Sequence, residues 1–247
     1  MNPSRPSPDI PLQHSLALLP EQGAPDLLFL LLHGDGADGR QMEPLALALR
    51  REYPQAAVVA LDAPLALPSQ NVAGWRWFDA DAADQGAALQ AALPGFVARV
   101  RAWGALFGLP WPRVALAGFS QGGQMALEAV VAEPHLAGRV LAIAAAPLAR
   151  PQAAPEGVCL HLLHGLDDAE VPKQHVLDAA RTWVGLGADL TADLLPGVGH
   201  ELHAQLIERG IHQLRHFIPA HLWREAVQQA AEMDAADREL MSRGRPH

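Results

Sequence analysis

The chain has 247 residues, of which 50% are hydrophobic and 18% are charged, and its formal net charge is −9. This length and composition suit one large domain with a sizeable buried core, so we expect a single domain over residues 1–247. The acidic balance, without any run of basic residues, argues against nucleic acid or an anionic membrane surface as a partner.

The first eleven residues and the single cysteine indicate where in the cell the protein is expected. Residues 1–11 contain four prolines and lack the apolar segment of a signal peptide. The most apolar stretch, residues 27–32, is far shorter than the roughly 20 residues of a membrane-spanning helix. Cys159 is the only cysteine, so no intramolecular disulfide can form, which suits a reducing cytoplasm. We therefore expect a cytoplasmic protein without a membrane span, with disorder at residues 1–11 and 233–247.

Short apolar runs alternate along the chain with longer segments of helical periodicity. This alternation is typical of a mostly parallel sheet with crossover helices on both faces, and it predicts an α/β fold. We expect a break or a kink in the helix over residues 84–107, because Pro94 removes a backbone donor there. The predicted strands cover residues 12–19, 27–33, 57–61, 114–119, 140–145, 158–164 and 188–195, and the predicted helices cover residues 41–52, 84–107, 121–133, 172–186 and 202–218.

A G-x-S-x-G pattern follows the predicted strand 114–119 and opens the next helix. It consists of Gly118-Phe119-Ser120-Gln121-Gly122. A strand that turns sharply into a helix presents a lone serine at its carboxyl end, and only small residues two positions away avoid a clash. A chance turn rich in glycine and serine is the alternative, but the strand and helix on either side favour a nucleophile elbow with Ser120 as the nucleophile.

A serine nucleophile needs a base and an acid that orients the base. The predicted strand 158–164 leads into Asp167 and Asp168, and the predicted strand 188–195 leads into a glycine-flanked His200. The carboxyl ends of parallel strands share one edge of a sheet, where such proteins place their ligands. We therefore predict His200 as the general base and one of the two aspartates as the acid.

An oxyanion hole requires two backbone donors. The amide of Gln121, directly after the nucleophile, is one candidate. The glycine-rich turn at residues 33–36, after the first parallel strand, supplies the second candidate, the amide of Asp35. A plain strand-to-helix turn is the alternative interpretation of that segment.

Five ordered motifs resemble the phospholipase/carboxylesterase family, which includes the acyl-protein thioesterases, over roughly residues 27–226. They are residues 32–39, 74–79, 118–123, the His164-Gly165 pair with Asp168 and Val171-Pro172, and Gly199-His200. The segment 214–221 is similar to a bacterial branch of small esterases. The resemblance implies an α/β-hydrolase fold without a cap domain, with no cofactor.

Because the family acid stands four residues after the histidine of the His-Gly pair, the resemblance assigns that role to Asp168 rather than Asp167. The sequence departs from the family pattern in two places. Asp35 replaces an apolar residue, which makes the surroundings of an oxyanion less favourable. The aromatic loop also differs, so Trp75, Trp77 and Phe78 either line a substrate pocket or only pack in the core.

These observations predict a serine carboxylesterase that hydrolyses small carboxylic esters through an acyl-enzyme, as a monomer or homodimer. The same residues would serve an acyl thioesterase or a lysophospholipase. Two other classes remain as alternatives. A metal-dependent hydrolase is suggested by twelve histidines, but residues 200–203 fall one residue short of H-E-x-x-H. The second alternative is a non-catalytic binding protein that has the same fold but has lost the catalytic activity.

Overall fold

The computed structural model describes residues 12–67 and 74–243. By its contacts the chain divides into two units, residues 1–215 and 216–247. The strands are β1 His14–Leu18, β2 Leu27–Leu32, β3 Ala56–Leu61, β4 Leu65–Ala66, β5 Trp75–Arg76, β6 Val114–Phe119, β7 Arg139–Ile143, β8 Cys159–Gly165 and β9 Asp189–Leu195. Seven of them form one sheet in the order β1-β3-β2-β6-β7-β8-β9, in which β1 is antiparallel and the other strands are parallel. The short strands β4 and β5 pair with each other in a separate antiparallel sheet.

Helices cover both faces of the sheet. They are α1 Glu43–Glu52, α2 Gln85–Phe107, α3 Gln121–Ala132, α4 Lys173–Gly185 and α5 Ala204–His216, while α6 Ala220–Arg243 belongs to the second unit. Successive side chains of β2 pack alternately against the two helical layers. Leu28 and Leu30 pack in the core that contains residues of α2, α3 and α4, whereas Phe29 and Leu31 pack in the core that contains residues of α1 and α5. The chain thus has the predicted α/β fold, with a mostly parallel sheet between two helical layers.

The predicted break at Pro94 is absent, since α2 continues through it from residue 85 to residue 107. The proline removes one helical hydrogen bond. On both sides of it, however, buried side chains anchor the helix to the core, among them Leu89, Leu93, Phe96 and Val100. The apolar surface that these residues bury keeps the two halves in one helix.

The second unit contains α6, which extends through the first eleven residues of the segment that the sequence predicts as disordered from residue 233. Alanine, glutamate, glutamine, methionine and arginine dominate α6, and all of them favour helix. The other predicted disordered residues, 1–11 and 244–247, lie outside the described residues. Among the described residues, none of the helices combines the length and the apolar composition of a membrane span.

Candidate active site

The nucleophile elbow forms where β6 ends and α3 begins. Ser120 adopts φ 52° and ψ −120°, a strained backbone that typically costs on the order of 1–3 kcal/mol. A Cβ on Gly122 would lie 2.4 Å from the carbonyl oxygen of Leu32, and one on Gly118 would lie 2.3 Å from the backbone of Gly122. Both glycines are therefore required by close packing of the backbone, as the G-x-S-x-G pattern predicts.

Ser120, His200 and Asp168 form one hydrogen-bonded chain. His200 Nε2 lies 3.0 Å from Ser120 Oγ, and His200 Nδ1 lies 2.9 Å from Asp168 Oδ2. The three residues follow β6, β9 and β8, so all of them come from the carboxyl edge of the sheet. The Phe119 ring packs against the imidazole, with 5.0 Å between ring centres. This arrangement can take a proton from the serine hydroxyl and stabilise the resulting imidazolium.

The two neighbouring aspartates do different things. The side chain of Asp168 is fully buried, and its Oδ1 accepts hydrogen bonds from the amides of Glu170 and Val171 at 2.9 and 2.8 Å. The side chain of Asp167 instead accepts a hydrogen bond from the amide of Gly197 at 3.0 Å, in the turn that leads to His200. Asp168 contacts the histidine, and Asp167 holds the turn.

The two candidate oxyanion donors occupy the same edge of the sheet. The amide of Gln121 is the first of α3 and needs no partner within the helix. Asp35 follows β2, in a turn that several hydrogen bonds hold: Gly34 N donates to Gln41 Oε1 at 2.7 Å, and Trp77 Nε1 donates to the carbonyl of His33 at 2.9 Å. This turn is fixed before substrate arrives, as an oxyanion hole requires.

The His33 side chain fastens this turn to the sheet. Its Nδ1 lies 2.6 Å from the carbonyl oxygen of Gly34, while its Nε2 accepts a hydrogen bond from Ala63 N at 3.0 Å. Burial lowers the pKa of His33 below its usual value, although the hydrogen bond to Gly34 opposes the shift. The neutral tautomer with a proton on Nδ1 satisfies both contacts.

Two aromatic side chains of the loop after β4 are packed in the core and also line a cavity. Trp77 and Phe78 are almost completely buried, and both line a cavity of about 510 Å³. Trp75 is half-buried and does not line it. The other lining residues are mostly apolar and include Leu65, Ala88, Ala92, Phe96 and Met125. Ser120 and His200 are not among the residues that line this cavity.

Gln121 joins this loop to the nucleophile elbow. Its side-chain Oε1 accepts a hydrogen bond from Trp77 N at 2.7 Å, and its Nε2 donates to the carbonyl of Phe78 at 3.1 Å. From the sequence, only the backbone amide of Gln121 is predicted to have a role in the site. The signal for the side-chain role is weak, because it depends on a loop more than forty residues away in the chain.

Two further charged residues near the site are absent from the sequence prediction. The exposed carboxylate of Glu170 lies 3.5 Å from His200 Nε2, on the side where a substrate would meet the histidine. Arg76 contacts the Asp35 carboxylate, with 3.1 Å between Arg76 Nε and Asp35 Oδ1. Both contacts bring together residues from different loops, which the spacing of residues along one chain does not reveal.

Two histidines of β8 are buried, and one of them, His164, lies close to Asp168, with 3.8 Å between His164 Nε2 and Asp168 Oδ2. His161, within β8, is buried and contacts Thr191 Oγ1 and Arg139 Nη1 at 2.9 and 3.1 Å. His164 is also buried, with its Nε2 2.9 Å from the carbonyl oxygen of Val171. Within residues 12–67 and 74–243, three or more histidine, cysteine, aspartate or glutamate side chains are nowhere grouped so that they could hold a metal ion.

Comparison with known proteins agrees with this architecture. The model of the phospholipase/carboxylesterase family matches residues 17–222. The chain is 33% identical over 217 residues to esterase YpfH of Escherichia coli strain K12, a match that covers 87% of this chain and 92% of that protein. The crystal structure of esterase PE8 superposes with a TM-score of 0.73 at 26% identity, covering 83% of this chain and 99% of that one.

A carboxylesterase from Mesorhizobium loti shares the fold, with a TM-score of 0.67 at 21% identity, covering 78% of this chain and 90% of that one. The family match spans all five sequence motifs, and its limits lie close to the 27–226 expected from them. The predicted α/β-hydrolase fold is thereby confirmed. This chain belongs to the phospholipase/carboxylesterase family.

Proposed function

We propose that this chain is a serine carboxylesterase that hydrolyses small carboxylic esters, with Ser120 as nucleophile, His200 as general base and Asp168 as the acid that orients it. The observation that carries the proposal is the continuous chain of hydrogen bonds Ser120–His200–Asp168, with links of 3.0 and 2.9 Å. Membership in a family of esterases supports the same reaction class.

The reaction proceeds in two halves. Ser120 Oγ attacks the ester carbonyl while His200 Nε2 takes its proton, and the oxygen of the tetrahedral intermediate accepts hydrogen bonds from the amides of Gln121 and Asp35. His200 then gives the proton to the leaving alcohol as the acyl-enzyme forms. In the second half, water attacks the acyl-enzyme with His200 again as base, which releases the carboxylic acid and restores Ser120.

The cavity lined by Trp77 and Phe78 is the candidate site for the apolar part of the substrate. Trp77 and Phe78 form one wall of it, and Gln121 couples that wall to the nucleophile elbow. Its volume of about 510 Å³ falls within the usual range for small-ligand pockets. Trp75 packs at the edge of the core behind the aromatic loop and supports it.

Replacement of Ser120 by alanine tests the proposal. We expect kcat for an activated ester such as p-nitrophenyl acetate to fall on the order of 10⁵-fold, because only binding and the oxyanion hole remain. The thermal unfolding midpoint should not fall, since alanine removes only a hydroxyl from a strained position. Turnover close to that of the unmodified enzyme would contradict the assignment of Ser120.

A further inference from the structure

Arg76 is surrounded by three carboxylates close to the candidate oxyanion hole. Besides Asp35 at 3.1 Å, its Nη1 contacts Asp79 Oδ1 at 2.9 Å and Asp81 Oδ2 at 2.8 Å. The Arg76 side chain is 13% exposed, whereas that of Asp81 is 84% exposed. The hydrogen bond with Asp81, together with the charges of Asp35 and Asp79, raises the pKa of Arg76 above its usual value. The guanidinium is therefore permanently charged.

Asp35 brings a negative charge to a place where a negative charge develops during the reaction. Its own amide is the proposed second donor, so its carboxylate is only a few covalent bonds away from the N–H group that would bind the oxyanion. The turn cannot carry this side chain away, because His33, Gly34 and Gln41 hold its backbone. An unbalanced carboxylate there would oppose charge development in the transition state.

The backbone places Arg76 opposite Asp35. Gly36 N donates to the carbonyl of Trp75 at 3.0 Å, and Trp75 N donates to the carbonyl of Ala37 at 2.9 Å. These two bonds join the Asp35 turn to β5 independently of any side chain. The three aspartates that contact Arg76 are partly or largely exposed to solvent, and ion pairs that solvent can screen add little to stability. Loss of the Arg76 side chain should therefore leave the two segments joined and change mainly the local charge.

We propose that Arg76 is a positioning residue for ester hydrolysis, which balances the charge of Asp35 and holds its carboxylate in an ion pair. This inference rests on the proposed function, because it concerns the transition state of acyl transfer. Arg76 acts through Asp35 and does not itself touch the substrate.

A double-mutant cycle between Arg76 and Asp35 tests the proposal. We expect Arg76→Gln to lower kcat about tenfold, with KM changed less than twofold, because the lost interaction matters only in the transition state. In an Asp35→Asn background the same Arg76→Gln change should lower kcat less than twofold. In an Asp81→Asn background, which leaves Asp35 charged, it should still lower kcat about tenfold.

Two more variants separate charge from packing. Arg76→Lys, which keeps the charge and loses the planar fork, should retain at least a third of kcat. Arg181→Gln removes an arginine from an ion pair with Asp178 on α4, and its kcat should not change. If Arg76→Gln is equally damaging with and without Asp35→Asn, Arg76 acts by holding the loop and the proposal is wrong.

The outcomes also distinguish this inference from the proposed function. An active enzyme in which Arg76→Gln leaves kcat unchanged overturns only the role of Arg76. A protein that hydrolyses no ester and whose Ser120 is unreactive overturns both. Thermal unfolding of each variant, measured alongside the kinetics, shows that the chain is folded where kcat is compared.

Discussion

Asp168 Oδ2 lies 2.9 Å from His200 Nδ1, and Asp168 Oδ1 accepts hydrogen bonds from two backbone amides. Replacing Asp168 by asparagine leaves the shape intact, but the amide favours the histidine tautomer that cannot accept the serine proton. We expect Asp168→Asn to lower kcat on the order of 10³ to 10⁴-fold, as measured with a soluble activated ester.

Asp167→Asn is the matched control for that variant. The asparagine side-chain oxygen can still accept the hydrogen bond that Asp167 accepts from Gly197. We therefore expect kcat to stay within about threefold of the unmodified enzyme. If the two replacements show the opposite order of effects, Asp167 is the acid and the proposed triad is wrong.

Stability should fall as the pH drops below about 6.5, because three buried histidines stay neutral in the folded chain. Burial lowers the pKa of His33 and His164, and burial together with the Arg139 charge lowers that of His161 to about 3. Below pH 6.5 these histidines are protonated in the unfolded chain but stay neutral in the folded chain. Each such histidine then reduces the free energy of unfolding by up to about 1.4 kcal/mol per pH unit.

Urea unfolding between pH 7.5 and pH 5 at constant ionic strength measures this dependence. His161→Gln should lower the stability at pH 7.5 and make its fall with pH less steep. His175→Gln, at an exposed position on α4, should leave the slope unchanged. Stability that stays constant or rises from pH 6.5 to pH 5 would contradict the neutral state of these buried histidines.

The cavity lined by Trp77 and Phe78 should determine which acyl chains are accepted. Ala92→Phe on α2 fills part of it, so we expect kcat/KM for a hexanoyl ester to fall about tenfold relative to that for an acetyl ester. Ala105→Phe, at an exposed position of the same helix, is the control and should leave the ratio unchanged. An unchanged ratio in Ala92→Phe would mean that the cavity holds no part of the substrate.

The connection between β7 and β8 predicts smooth saturation kinetics. Residues 144–158, all of which the structure describes, contain no helix, so this common insertion point carries no helical lid. Initial rate against ester concentration, followed through the solubility limit, should rise hyperbolically. An abrupt increase once droplets or micelles form would indicate a mobile cover over the site.

Much of the sheet and of the proposed triad could be predicted from the sequence, because these features depend on local patterns. The apolar runs before Ser120, Asp168 and His200 define three strands, and parallel strands necessarily bring their carboxyl ends to one edge. The glycines around Ser120 mark a turn that only small residues permit. Each of these signals is contained within about ten residues of chain.

The features that escaped prediction depend on tertiary contacts. Whether α2 continues through Pro94 depends on the buried residues on either side of it, because the burial of their side chains outweighs the lost hydrogen bond. The pairing of Arg76 with Asp35 joins two loops about forty residues apart, each with several charged residues. The sequence shows that Asp35 lies in a glycine-rich turn, and only the packing of the two loops shows which cation faces it.

Covalent labelling of Ser120 is the most direct test of the proposed mechanism. A fluorophosphonate probe reacts with an activated serine and yields a stable adduct, and peptide mass spectrometry identifies the modified residue. We predict one equivalent of label on Ser120 in the unmodified protein, much slower labelling in Asp168→Asn and none at position 120 in Ser120→Ala. A folded, unmodified protein that stays unlabelled, or that is labelled on another serine, would contradict the assignment of Ser120 as the nucleophile.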